Sequence, residues 1–152
     1  MAEHLRLARL YLVMLAIVTV GRWGLGFYEV PYEKGTDKLS IVTLTVFASL
    51  FYGAFTRRWL GYRTLQVVGL TMTLGLLSQI VIFLSTAASY TFGIDSYFNH
   101  PTALDKLDPK AAVGFAQAML IRAAGLVGNT ILNGIAGALG WVMGAALPSS
   151  PK

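Results

Sequence analysis

The run 65-LQVVGLTMTLGLLSQIVIFLSTAASY-90 contains no Asp, Glu, Lys, Arg, His or Pro. An α-helix rises 1.5 Å per residue, so roughly 20 helical residues cross a hydrocarbon layer about 30 Å thick. The run lacks the polar/apolar alternation of a barrel strand, and helices and closed barrels are the only spanning structures that keep every backbone group hydrogen-bonded in lipid. It therefore reads as a membrane-crossing helix.

Three further apolar stretches flank it, at residues 7–27, 39–55 and 111–147. The first matches one crossing. The second, at about 17 residues, sits at the lower limit and is expected to stand nearly upright. The last is too long for one simple span, so 111–121 is expected as an interfacial or extended lead-in and 123–147 as the crossing. Arg6 and Arg9 give the first stretch the look of a secretory signal, but Gly21-Arg22-Trp23-Gly24 after it offers no small-x-small cleavage site, so a retained anchor is expected. Short connections favour antiparallel neighbours. The expected fold is an all-α integral membrane protein, a four-helix antiparallel (up-and-down) transmembrane bundle forming one domain over residues 1–152.

Composition agrees. Of 152 residues, 55% are hydrophobic and 12% charged, with a mean hydropathy of +0.62. An ordinary soluble domain is about 25% charged. The shortfall argues against a soluble enzyme, a disordered chain or a basic nucleic-acid-binding domain, despite a net charge of +5 and a pI near 9.7. Cationic membrane anchors account for that charge better. With no cysteine, structural disulfides, thiol redox chemistry, iron–sulfur ligation and thiolate zinc sites are all excluded.

Basic residues set the expected orientation. Four crossings put both termini and the middle connection on one side, with Arg6, Arg9, Arg57, Arg58, Arg63 and Lys152. The other side holds Lys34, Lys38, Lys106 and Lys110, with Arg22 and Arg122 near helix ends. Arginines 57, 58 and 63 lie in a very short turn, where the positive-inside rule is most reliable, so both termini are expected in the cytoplasm of a bacterial-type membrane. Glu29, Glu33, Asp37, Asp95, Asp105 and Asp108 then lie outside. Trp23, Phe27, Tyr28 and Tyr32 at one helix end, Tyr90, Phe92, Tyr97 and Phe98 at another, and Tyr52, Trp59 and Tyr62 at the inner face read as interfacial belts.

The last helix carries the most unusual pattern. Arg122, Asn129 and Asn133 follow one another at i, i+7 and i+11, within about 20° of one helical face. Lipid cannot satisfy their hydrogen bonds, so the stripe should point inward. One reading is an outward-opening polar cavity in which Arg122 receives a lipid phosphate or a carboxylate. The other pairs Arg122 with an outer acid and uses the asparagines to tie helices together. Arg22 offers the same choice: a clamp to Glu29, Glu33 or Asp95, or an anion pocket shared with Arg122.

Ala136, Gly140 and Gly144 form a small-xxx-small ridge that lets backbones approach closely. It serves packing inside the chain or self-association. Thr45, Ser49 and Gly53 in the second helix, and Thr71, Gly75 and Gln79 in the third, are its candidate receiving surfaces.

Residues 94–110 hold metal-capable groups (Asp95, His100, Asp105, Asp108), but one histidine without fixed carboxylate spacing is a poor metal signal. His4 would lie at the opposite face, about 30 Å away, which disfavours a bis-histidine haem. A pigment or haem on His100 alone is left open, and no cofactor or metal is expected. No acid falls within a span, against an ion-coupled carrier with an intramembrane carboxylate. Phosphate-loop, nucleophile-elbow and HExxH motifs are absent.

The leading expectation is thus a small non-enzymatic subunit that packs with partner helices in a larger membrane complex or forms a homo-oligomer. An alternative is binding or transport of an anionic lipid or amphiphile through Arg122, Asn129, Asn133 and Arg22. An outer-face enzyme built around His100 comes third. Membrane lipid is an expected partner and nucleic acid is not.

Overall fold

The computed structural model describes residues 6–35, 39–104 and 112–148. Four long helices carry the chain: α1 (Arg9–Phe27), α2 (Ile41–Leu60), α3 (Thr64–Phe92) and α4 (Phe115–Met143). Single helical turns lie at Tyr32–Gly35, Pro101–Leu104 and Gly144–Ala146, and no strand occurs among the described residues. Three helical stretches, Arg9–Phe27, Thr64–Phe92 and Phe115–Ala146, are long and apolar enough to cross a membrane.

Two boundaries correct the sequence expectation. Helix α2 runs to Leu60, past the end of the apolar stretch, and takes Arg57 and Arg58 into its last turn. Cations are favoured there because the unpaired carbonyls of a helix C-terminus carry partial negative charge. Ser40 opens the helix by accepting from the Thr43 amide, and Gly61 ends it in the left-handed conformation at φ 67°. Helix α4 is continuous from Phe115, with no change of structure near Arg122. Its first turns, Phe-Ala-Gln-Ala-Met-Leu, contain mostly strong helix formers, and among the described residues Ala112–Gly114 precede it as irregular chain.

Side chains are distributed the opposite way from a soluble bundle. Small polar residues fill the middle: Thr45, Ser49, Thr71, Ser78 and Thr86 are wholly buried. Large apolar ones face outward, with Leu10, Ile17, Leu65 and Leu120 more than 60% exposed. Most buried hydroxyls donate to a carbonyl one turn back, as Thr45 does to Ile41 (2.7 Å) and Thr86 to Ile82 (2.9 Å). They therefore need no water.

Helix α4 lies closest to its neighbours, against α2 and α3. Absence of side chains explains the proximity. A Cβ on Gly137 would strike Thr71, one on Gly75 would strike Asn133 and Thr130, and one on Gly140 would overlap the Leu50 carbonyl. Gly144 faces Ala54 and Gly53 faces Gly137 and Gly140 in the same way. Gly140 and Gly144 of the expected ridge therefore meet α2 inside one chain, whereas Thr71 and Gly75 of α3 meet Gly137 and Asn133 beside the ridge. Helix α1 stands further off and makes its contact with bulk: Leu15 and Tyr11 enter the core, and the Tyr11 hydroxyl lies 2.9 Å from Thr45 Oγ1 and 3.3 Å from the Leu74 carbonyl.

Candidate functional site

At one end of the bundle the segments after α1 and α3 fold back over the helix ends. The run Gly21-Arg22-Trp23-Gly24-Leu25-Gly26 makes this possible. Gly21 has the Leu39 side chain where a Cβ would stand, and Gly26 has the Asp95 carbonyl and Ser96 main chain there. Close approach of backbone to helix is what glycine permits.

Arg22 sits between these glycines with 8% of its surface exposed. Its Nη1 donates to the Leu39 carbonyl (3.0 Å) and its Nη2 to the Tyr97 carbonyl (3.2 Å). The guanidinium also lies 5.7 Å and 5.2 Å from the ring centres of Tyr97 and Phe98, within cation–π range. No described carboxylate pairs with it. On α4, Arg122 donates through Nε to Thr86 Oγ1 (3.0 Å) and through Nη2 to the Phe98 carbonyl (2.8 Å). Two arginines from different helices thus hold successive carbonyls of one segment.

That segment is a plug. Ser96, Tyr97 and Phe98 are 6%, 3% and 1% exposed, which corrects the reading of Tyr97 and Phe98 as interfacial aromatics. Ser96 Oγ lies 2.7 Å from Ser89 Oγ on α3, and the Ser96 amide donates to Asn99 Oδ1 at 2.9 Å. Phe98 packs against Trp23, with ring centres 5.6 Å apart. Tyr32 stacks nearly parallel on His100 at 4.4 Å and tilts against Tyr97 at 5.1 Å. Tyr52, also expected in a belt, is 6% exposed and belongs to the core.

Under the plug lies a cavity of about 130 Å³, lined by Arg22, Arg122, Tyr32, Ser40, Ile82 and Phe98 among others. The shared lining by two arginines is the arrangement that the sequence held out as an alternative to acid clamps. Of the acids expected as clamp partners, Glu29, Glu33 and Asp95, the Glu33 side chain lies outside the described residues, and the groups that Arg22 is seen to grip are the Leu39 and Tyr97 carbonyls.

The asparagines do not join this cavity. Asn133, 1% exposed, accepts from Ser49 Oγ through Oδ1 (2.8 Å) and donates to the Asn129 carbonyl (2.8 Å), tying α2 to α4. The Asn129 amide lies with that of Gln79 around the space above Gly125. Gln79 is the polar residue whose state the sequence did not foretell: it is 4% exposed, and its Nε2 is buried without a hydrogen-bond partner.

Among the described residues, no three His, Cys, Asp or Glu side chains come together as metal ligands. Asp37, Lys38, Asp105, Lys106, Asp108, Lys110, His4 and Lys152 lie outside the described residues, as does the side chain of Glu33. Compared with known proteins, the chain matches no family model, no curated protein and no solved structure.

Proposed function

We propose that this is a small non-enzymatic integral membrane protein that binds the anionic headgroup of a lipid or amphiphile in the outer cavity between Arg22 and Arg122. One observation carries the reading: the two guanidinium groups line the same cavity, and Arg22 is buried among carbonyls and rings with no described carboxylate beside it. Carbonyls satisfy N–H groups without neutralising the unit charge, and a charge in a low-dielectric site is costly without a counter-charge. A phosphate or carboxylate oxygen supplies a counter-charge and accepts strong charge-assisted hydrogen bonds. At roughly 30 Å³ per water, the cavity has space for a group of about four waters' bulk.

In this reading all four helices cross the bilayer as an up-and-down bundle, with α2 as the least apolar crossing and both termini cytoplasmic. The register supports it. Along α3 and α4 the pairs Thr71–Gly137, Gly75–Asn133 and Thr86–Arg122 run in opposite senses, whereas Ser49–Asn133 and Ala54–Gly144 rise together along α2 and α4.

Native mass spectrometry in mild detergent tests the binding. Phosphatidylglycerol should be retained and phosphatidylcholine lost, and Arg122→Gln should weaken retention at least tenfold. Equal retention of both lipids, or indifference to the substitution, would end the proposal.

Assembly with partner helices or a second copy is the second reading. The glycine ridge is covered within the chain, so α1, with Leu10, Val13, Ile17 and Val20 outward, is the face that would carry it. Cross-linking from Val13 in intact membranes would detect such a neighbour; labelling of lipid alone would discard it.

A further inference from the structure

The arginine cavity has a third source of positive potential. Its lining includes Ser40, Ile41 and Val42, the N-cap and first two residues of α2. An α-helix leaves its first amides without intrahelical acceptors, and its aligned peptide dipoles put about half a positive charge at that end. In α2 the Thr43 amide is bonded to Ser40 Oγ and the Leu44 amide to the Ser40 carbonyl. The amides of Ile41 and Val42 are left without a helical acceptor, and both residues line the cavity.

The polar side chains of the lining are donors too. A guanidinium can only donate. Ser40 Oγ accepts from the Thr43 amide (3.3 Å) and the Thr43 hydroxyl (3.0 Å), so its own proton remains to be donated. Tyr32 adds a phenol, its ring packed on Tyr97 and His100. Among the described residues, no carboxylate or carboxamide side chain lines this cavity.

Resting on the headgroup reading above, we propose that the cavity takes a terminal phosphomonoester, its phosphoryl group seated at the N-terminus of α2 between Arg22 and Arg122. A carboxylate or a phosphodiester carries a single negative charge and presents two free acceptor oxygens. A phosphomonoester carries about −1.5 to −2 near neutral pH and presents three. It therefore matches a helix end and two guanidinium groups more closely in charge. It also has an oxygen for donors on α1, α2 and α4 alike.

The test uses the full-length protein in dodecyl maltoside at neutral pH, with dodecyl phosphate and its methyl ester as probes. The two share a chain, and the extra methyl group removes one charge and one terminal oxygen. Native mass spectrometry should show dodecyl phosphate bound at least tenfold more tightly, and Arg122→Gln should weaken both probes. Ser40→Asp keeps an N-cap acceptor for the Thr43 amide but sets a carboxylate in the cavity. It should weaken dodecyl phosphate at least tenfold and the methyl ester by less, with helix content unchanged in circular dichroism. Equal affinity for the two probes, or a folded Ser40→Asp protein that binds dodecyl phosphate like its parent, would overturn the phosphomonoester site. If binding then still depends on Arg122, the headgroup reading stands alone; if it does not, both proposals fall. Glycerol phosphate separates the two sources of a phosphomonoester. Failure to displace dodecyl phosphate at equal concentration supports a lipid, whereas displacement would assign the site to a soluble ligand and overturn the lipid headgroup.

Discussion

Gln79 and Asn133 show how differently two buried amides on facing helices behave. Asn133 has a partner on α2, and losing it strands the Ser49 hydroxyl as well. Gln79 has an orphaned Nε2. A buried donor without an acceptor costs about 1–3 kcal/mol, and replacing it by an apolar group of similar shape removes that cost. Gln79→Met should therefore raise the midpoint of thermal unfolding in detergent by a few degrees. Asn133→Leu should lower stability by about 1–3 kcal/mol. A Gln79→Met protein that melts earlier than the parent would mean that the amide is satisfied after all.

At the scale of elements, close packing rests on particular glycines and not on glycine content. Gly140 meets the Leu50 carbonyl, whereas Gly128 has nothing within 4 Å of its would-be Cβ. Gly140→Ala should force α2 from α4 and cost about 1–3 kcal/mol, as over-packed cores do. Gly128→Ala should be neutral or stabilise by up to about 1 kcal/mol through reduced backbone freedom. Identical melting of the two variants would contradict the packing described.

The other end of the bundle is stitched by cations. Arg57 lies 3.8 Å over the Trp141 ring and donates to its carbonyl (2.8 Å), Trp141 Nε1 donates to the Tyr62 carbonyl (2.9 Å), and Arg58 Nε reaches the Pro148 carbonyl (3.0 Å). Arg57→Ala should cost about 1–2 kcal/mol. Arg57→Lys should recover only part, since an ammonium lacks the planar face that stacks on indole. Full recovery with lysine in equilibrium unfolding would assign the effect to charge alone.

For the whole molecule, apolar residues outward and hydroxyls inward suit a hydrocarbon solvent, where the bundle interior is the only place for a polar side chain. The four-crossing scheme predicts that reporter domains at the two termini are active on the same face. Because Arg57 and Arg58 end α2 and Arg63 precedes α3, clustered about one short connection, converting all three to Asn should produce a mixture of orientations. Reporters active on opposite faces in the parent protein would break the scheme.

Chain order alone determined the four helices, the small-residue faces by which α2 and α4 pair, and the inward direction of Arg122. Solvation by hydrocarbon is close to additive along a run, so length and composition suffice to recognise a long apolar helix. Small residues spaced four apart mark a seam whatever lies across it. The end of α2 was less legible, because a helix terminus is set by Gly61 and hydrogen bonds, not by loss of apolar character.

Only the tertiary structure decided what the arginines touch. Each grips a main-chain carbonyl of one segment, a group that every residue carries and no sequence pattern marks. Arg22 reaches one 75 positions away, at Tyr97. Whether Arg122 shares a cavity with Asn133 or with Arg22 likewise depends on where a long connection folds back, and that is settled by packing among distant parts of the chain.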